Sequence, residues 1–222
     1  MSIFPWDLSI VPQKFFLFWE AASYTLEITF FGVLFGLLIG LLVALGRLSK
    51  NKALSSVCRS YIFLIRGTPL LVQLFIIYYG LTSLVTIAPI PSAIIALAIH
   101  NGAYIGEIFR GAIQSIHYGQ LEAAKSIGMT HMKAMERIVL PQAFKRAVPS
   151  LGNQLIIALK DSSLASTIAV PELMLKGRQM GSSTFMYMEM FIIVGIWYLL
   201  MTSVLSFVMH KIEMKLKVSD RG

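Results

Sequence analysis

Apolar positions along this chain are bunched into long runs rather than alternated. Residues 28–46 carry no charged side chain, and neither do residues 67–99 or 190–209. About 18 or more consecutive apolar residues can cross the hydrocarbon core of a bilayer. There a helix is the form that satisfies its own backbone. The pattern predicts spans at about 24–46, 61–84, 92–112, 147–170 and 185–210. The expected fold class is therefore all-α: a polytopic helical membrane protein with five transmembrane helices. Between the third and fourth spans lies a polar stretch, about 114–145, that is helical in character and faces water.

Several polar groups fall inside the spans. Arg66-Gly67-Thr68-Pro69 sits in the first half of span two. Pro69 removes a helical N–H and Gly67 loosens the backbone, which points to an irregular turn. The other reading is an Arg66 that snorkels from near the end of the span. Span three carries His100, Asn101, Tyr104 and Glu107. Their spacing places a polar stripe against protein or water rather than lipid. Span four holds Asn153, Gln154, Lys160, Asp161 and Ser162. Gln154 and Asp161 are seven apart and share a helix face. Lys160 and Asp161 read either as functional groups or as a structural charge pair. In span one Gly32, Gly36 and Gly40 form a ladder that lets helices approach closely, within the bundle or between subunits.

Charge then orients the spans. Arg47, Lys50, Lys52 and Arg59 share one connection. Arg110, Lys125, Lys133, Arg137, Lys145 and Arg146 fall around the polar segment, and Lys211, Lys215, Lys217 and Arg221 in the tail. The alternate connections hold only Lys14, none in 82–92, and Lys176 with Arg178. Positive charge collects on the cytoplasmic side. The N-terminus is thus expected outside, the C-terminus in the cytoplasm, and the span count odd. Composition agrees with a membrane protein: 56% hydrophobic, 14% charged, mean hydropathy +0.73. The net charge of +8 is explained by this sorting and needs no nucleic acid partner. Phe4, Trp6, Phe15, Phe16, Phe18 and Trp19 suit an interfacial segment at headgroup level. No cleaved signal peptide is expected.

Catalytic signatures are missing. No G-x-x-x-x-G-K-[ST] loop is present to cradle nucleotide phosphates. His100, His117, His131 and His210 lack metal-ligand spacing, and Cys58 stands alone. No metal site and no enzyme activity are expected. The polar segment has a different logic. Glu122, Ala123 and Ala124 begin a short helix with a flat small-residue face, and Gly128 offers the conformation that ends one. A second amphipathic stretch leads to Pro141.

This segment reads Glu122-Ala123-Ala124, three residues, Gly128, nine residues, Ile138-Val139-Leu140-Pro141. It resembles, at every signature position, the E-A-A signature of permease subunits of bacterial ABC importers. The stretches at 66–80 (RGTPLLVQLFIIYYG), 101–111 (NGAYIGEIFRG) and 152–164 (GNQLIIALKDSSL) are similar to the polar amino acid permeases, the histidine/glutamine/arginine/cystine group. Together the resemblance covers roughly 24–211.

The resemblance implies a single type I transmembrane domain over 1–222, set in the cell inner (plasma) membrane. It implies a second permease subunit, identical or not, and a dimer of cytoplasmic ATPase subunits that bind ATP and Mg²⁺, leaving no cofactor in this chain. An extracellular or periplasmic binding protein would deliver the solute. Glu122, Ala123, Ala124 and Gly128 would be the docking and hinge residues of the coupling helix. The family pocket lies halfway through the membrane. There a free amino acid presents an ammonium, for which Asp161 is an acceptor. Its carboxylate suits Arg66, Thr68 and Ser162, with Asn101 and Gln154 completing the candidate substrate-binding set. Gln154, where a cationic solute would favour a carboxylate, leans the reading toward a neutral polar amino acid such as glutamine or cystine. The alternatives are a basic amino acid and, further off, an ion-coupled secondary transporter.

Overall fold

The computed structural model describes residues 6–218, with side chains to 216. Phe4 at one end, and Arg221 and the side chain of Lys217 at the other, lie outside the described residues. The described residues form ten α-helices and no strand. Helix α1 (Ile10–Lys14) passes through a 3-10 turn at Phe15–Phe18 into α2 (Trp19–Leu48). Then come α3 (Lys52–Arg66), α4 (Leu70–Phe75) with a π turn at Ile76–Gly80, and α5 (Pro89–Gln114). The polar segment holds α6 (Tyr118–Ser126) and α7 (His131–Ala134), and a π turn at Met135–Val139 runs into α8 (Leu140–Asp161). A 3-10 turn at Ser162–Ile168, α9 (Leu173–Thr184) and α10 (Tyr187–Val218) complete the chain.

Three stretches are long and apolar enough to cross a membrane: Ile10–Leu48, Pro89–Gln114 and Tyr187–Leu216. A fourth is the pair Lys52–Arg66 and Leu70–Gly80, bent by 103°. The 22 residues of α8 extend about 33 Å, enough to span, but Lys145, Arg146, Asn153, Gln154, Lys160 and Asp161 make it amphipathic. It qualifies by length and not by apolarity.

The helix expected from residue 61 begins at Lys52, where Asn51 caps it by accepting from the N–H groups of Ala53 and Leu54. It stops at Arg66 because Pro69 has no N–H and holds an extended ψ of 140°. The helix expected over 147–170 starts at Leu140, with Pro141 in its first turn, and tightens into the 3-10 turn after Asp161. That turn ends on Ala169 in the left-handed region, φ 63°. The connection expected over 171–184 is itself largely helical, as α9.

Helices α2 and α5 pack most extensively, and the glycine ladder is the reason. A Cβ on Gly32 would lie 2.7 Å from Leu97 Cβ, one on Gly36 2.9 Å from Asn101 Cβ, and one on Gly40 2.6 Å from Ile105 Cγ2. The ladder serves packing inside the bundle. One buried cluster gathers Phe18, Leu159, Leu173, Met190, Ile193 and Trp197 from α2's entry, α8, α9 and α10. Phe15 stacks on Trp197 at 4.7 Å, and the Trp197 indole N–H donates to the Phe15 carbonyl at 3.1 Å. The aromatic N-terminal segment is thus half packed, while Phe16 and Trp19 face outward. A second cluster joins Ile28, Leu74, Ala96, Leu97 and Ile168. Helix α5 is the most enclosed of the spanning helices, so whatever its polar stripe touches is protein or an open cavity.

Candidate functional site

The break after α3 is held by one side chain. The Gln73 amide donates to the Ile65 carbonyl at 2.8 Å, the Thr68 carbonyl at 3.1 Å and the Thr68 hydroxyl at 3.0 Å. Its Oε1 faces His100 Nδ1 at 3.1 Å. Gln73 therefore caps the open carbonyl end of α3 and ties it to α5. The Thr68 hydroxyl donates to the Leu64 carbonyl at 2.8 Å, so it belongs to this buckle. Arg66, at the end of α3, is exposed and lies over the Tyr104 ring with 5.0 Å from its central carbon to the ring centroid.

On α5, Asn101 is fully buried. Its amide donates to the Leu97 carbonyl, and its Oδ1 accepts from Gln154 Nε2, each at 2.8 Å. This pair stitches α5 to α8. Beside it an open cavity of about 550 Å³ is lined by Arg66, Tyr104, Glu107, Ser150, Asn153 and Gln154 among others. The structure thus brings Arg66 and Gln154 to one cavity, with Asn101 behind them.

Asp161 and Ser162 lie elsewhere. Seven residues along α8 from Gln154, about 10 Å, they border a narrow crevice against Leu70, Leu74, Ala93 and Leu97. Ser162 is buried and donates to the Leu159 carbonyl at 2.7 Å. Two ion pairs occur among the described residues, joining Arg47 and Arg110 to Glu107, and Lys160 takes part in neither. Glu107 accepts from Arg110 through both oxygens, at 3.0 and 2.7 Å, and Arg110 also donates to Gln114.

Sequence reasoning left Tyr104 and Glu107 in a stripe without a role, although their spacing with Asn101 announced one face of a helix. Gln73 was passed over entirely. Its signal was a lone amide in the apolar run after Pro69. Glu172 was missed too. It is fully buried, caps α9 through the N–H groups of Met174 and Leu175 at 2.9 and 2.8 Å, and accepts from the Tyr198 hydroxyl at 3.2 Å.

At the other end of the bundle the polar segment forms a closed excursion. Arg146 donates to the Ser115 carbonyl at 2.5 Å, clamping the start of α8 to the end of α5. His117 caps α6 by accepting from the Gly119 N–H at 3.1 Å. Helix α6 ends in paired turns: Met129 N–H to the Ala124 carbonyl at 3.1 Å, and Gly128 N–H to the Lys125 carbonyl at 3.0 Å. That arrangement needs a left-handed residue, and Gly128 has φ +84°. Glu122 and Ala123 are exposed and Ala124 is buried. Tyr118, Ile127 and Met132 present large apolar side chains to the outside.

Comparison with known proteins supplies the frame. The family described as "Binding-protein-dependent transport system inner membrane component" matches residues 36–218. The L-cystine transport system permease protein TcyB of Bacillus subtilis (strain 168) is 43% identical over 218 residues, 96% of this chain and 91% of that permease. The nopaline transport system permease protein NocM of Agrobacterium fabrum (strain C58) is 39% identical over 211 residues, 90% of this chain and 88% of that one. The crystal structure of an amino acid ABC transporter with histidines matches with a TM-score of 0.90 and 39% identity, over 97% of this chain and 100% of the solved one. These permeases are transport subunits and not enzymes, and the chain belongs to the family of binding-protein-dependent transport system inner membrane components.

Proposed function

We propose that this chain is the permease subunit of an ATP-driven amino acid importer in the cell inner membrane. It crosses five times, with the N-terminus outside and the C-terminus in the cytoplasm, and α6 is the coupling helix. The observation that carries the reading is the open cavity between α5 and α8, walled by Arg66, Tyr104, Glu107 and Gln154, on the same two helices that bracket the α6 excursion. Motion of α6 reaches that cavity through α5 on one side and through α7, the π turn and α8 on the other.

Two copies of this chain, or this chain and a similar permease, enclose the path. A dimer of ATPase subunits binds ATP and Mg²⁺ and grips α6 through Glu122, Ala123 and Ala124, with Gly128 as hinge. A binding protein delivers the solute at the opposite face. Arg66, steadied by Tyr104, takes the carboxylate. The amide of Gln154 is committed to Asn101, which leaves its carbonyl oxygen for a solute N–H. Asp161, Ser162 and Thr68 complete the pocket as the spans rearrange between outward and inward states, with Asp161 meeting the ammonium.

The solute is a neutral polar amino acid such as glutamine or cystine. Glu107 lines the cavity, but Arg110 takes both its oxygens and Arg47 stands beside it, so it has no charge left for a cation. Likeness to a cystine permease supports this. Likeness to a transporter solved with histidines supports the second reading, a basic amino acid.

Uptake of radiolabelled amino acids into proteoliposomes holding the permease, its ATPase and its binding protein decides between them. Competition by glutamine or cystine, but not arginine, is expected. Arginine winning would overturn the neutral assignment, and uptake without ATP would overturn the importer. Asp161→Asn is expected to cut solute-stimulated ATP hydrolysis while the complex still assembles. Unchanged stimulation would remove Asp161 from the pocket.

A further inference from the structure

A second cavity adjoins the first and shares Arg66, Tyr104 and Glu107 with it. Its volume is about 470 Å³, and Arg47, Arg59 and Phe63 form its other side. Three guanidinium groups therefore face one carboxylate, and that carboxylate is already occupied. Glu107 accepts from Arg110 through both oxygens. Arg47 approaches it only to 3.8 Å, an ion pair without a hydrogen bond, and the Arg47 Nε is buried with no hydrogen-bond partner. Leaving a buried charged donor without an acceptor costs free energy. Arg59 is exposed and forms no hydrogen bond or ion pair among the described residues. Arg66 is exposed, with its guanidinium carbon 5.0 Å from the Tyr104 ring centroid, and forms no ion pair among the described residues.

A planar oxyanion answers all three arginines, because a carboxylate accepts from guanidinium forks two bonds at a time. The apolar wall of Phe63 and Tyr104 suits the stem of a small solute. Arg47 lies in the last turn of α2 and Arg59 about two turns before Arg66 on α3, so the cavity extends from the central one toward the α2–α3 connection, which the importer reading places on the ATPase side. We propose that it is a second amino acid subsite, which takes the α-carboxylate as the solute leaves toward the cytoplasm. This rests on the importer reading above. Arg66 passes the carboxylate from one cavity to the next, and Arg47 and Arg59 receive it.

The test uses the complete nucleotide-free complex in nanodiscs. Tritiated L-glutamine, L-cystine and L-arginine are the probes, and L-glutaminamide, whose carboxylate is replaced by an amide, is the competitor. Two classes of bound solute are expected. Arg59→Gln, at an exposed position, should weaken the looser class roughly tenfold and leave the tighter class unchanged, and Arg47→Gln should weaken the looser class by as much. Arg47→Lys should keep part of it, and glutaminamide should compete poorly for the looser class. A single class with the same affinity in Arg59→Gln overturns the subsite. So does loss of both classes together in Arg47→Gln with Arg59→Gln unchanged, since Arg47 would then serve folding alone. Nanodiscs of phosphatidylcholine, with and without phosphatidylglycerol, separate a lipid headgroup from the solute. If the arginine variants lose only retained phosphatidylglycerol, the cavity holds lipid phosphate and the proposal falls. If the wild type binds none of the probes while uptake is also absent, the importer reading itself fails, an outcome distinct from the others.

Discussion

At the scale of single residues, Gln73 shows how one amide can carry a backbone break. Its two N–H groups serve three oxygens of α3 and the turn beyond it, and its oxygen meets His100. Gln73→Leu keeps the volume but removes the partner of the Ile65 and Thr68 carbonyls at a part-buried break. The expected cost is about 1–3 kcal/mol, read as a lower thermal midpoint in detergent and a fall in uptake. An unchanged midpoint would mean that the break holds itself. Gly128 is the second such residue. No atom lies within 4 Å of a Cβ built there, so space is not the constraint, whereas φ +84° is. A left-handed conformation costs an L-residue about 1–2 kcal/mol, and a β-branched one more. On the proposed coupling role, Gly128→Val is expected to abolish uptake, as is Glu122→Lys on the exposed face of α6, with normal amounts of permease in the membrane. Full transport by either would end the coupling role. The sequence made Gly128 legible through its place after an alanine-rich helix. It hid Gln73, because a lone polar residue in an apolar run gives no clue to partners that lie before a proline break.

Between elements, two contrasts are open to measurement. Glycines on α2 touch α5, and a side chain there must push into Leu97, Asn101 or Ile105. Gly40→Leu is expected to lower the yield of folded permease, since overpacking costs about 1–3 kcal/mol. Gly111→Ala, with nothing within 4 Å of its Cβ, should be silent. Equal yields would deny the ladder its packing role. Glu172, in the connection between α8 and α9, offers a pH test. Burial pushes its carboxyl up to about 7, partly offset by the N–H groups of Met174 and Leu175, the Tyr198 hydroxyl and Arg178. A raised carboxyl favours the neutral form in the folded state. Its contribution is whole at pH values below the ordinary carboxylate range, declines as pH rises from there, and is lost through about 7. Thermal midpoints should therefore fall between about pH 5 and 7, and Glu172→Gln should flatten that slope. A slope that survives the substitution would assign it to other groups.

For the whole molecule, the apolar runs alone determined the class. A chain with charge-free stretches of this length must place them in lipid or in a core, and helices are the form that lipid tolerates. The E-A-A segment likewise announced its family, because its signature residues lie close together in the chain. Span ends were less legible. Hydropathy averages over a window, whereas caps such as Asn51 and breaks such as Pro69 act at single bonds, which is why α3 begins nine residues before the expected 61. The pocket was the least legible part. Gln154 and Asp161 share a helix face by spacing, yet they border different cavities, because α4 and the first half of α5 wall the one at Asp161 while the end of α3 and the second half of α5 wall the one at Gln154. Spacing along one helix is set by the chain, but what faces it is decided by the neighbours. So the sequence by itself determined a membrane-embedded helical permease with a polar helical excursion. Only the tertiary structure decided that Asn101 is turned inward to hold Gln154, that Glu107 is neutralised by arginines, and that Arg47, Arg59 and Arg66, from two helices, converge on one cavity. Charges far apart in the chain interact through distance in space, and only packing sets that distance.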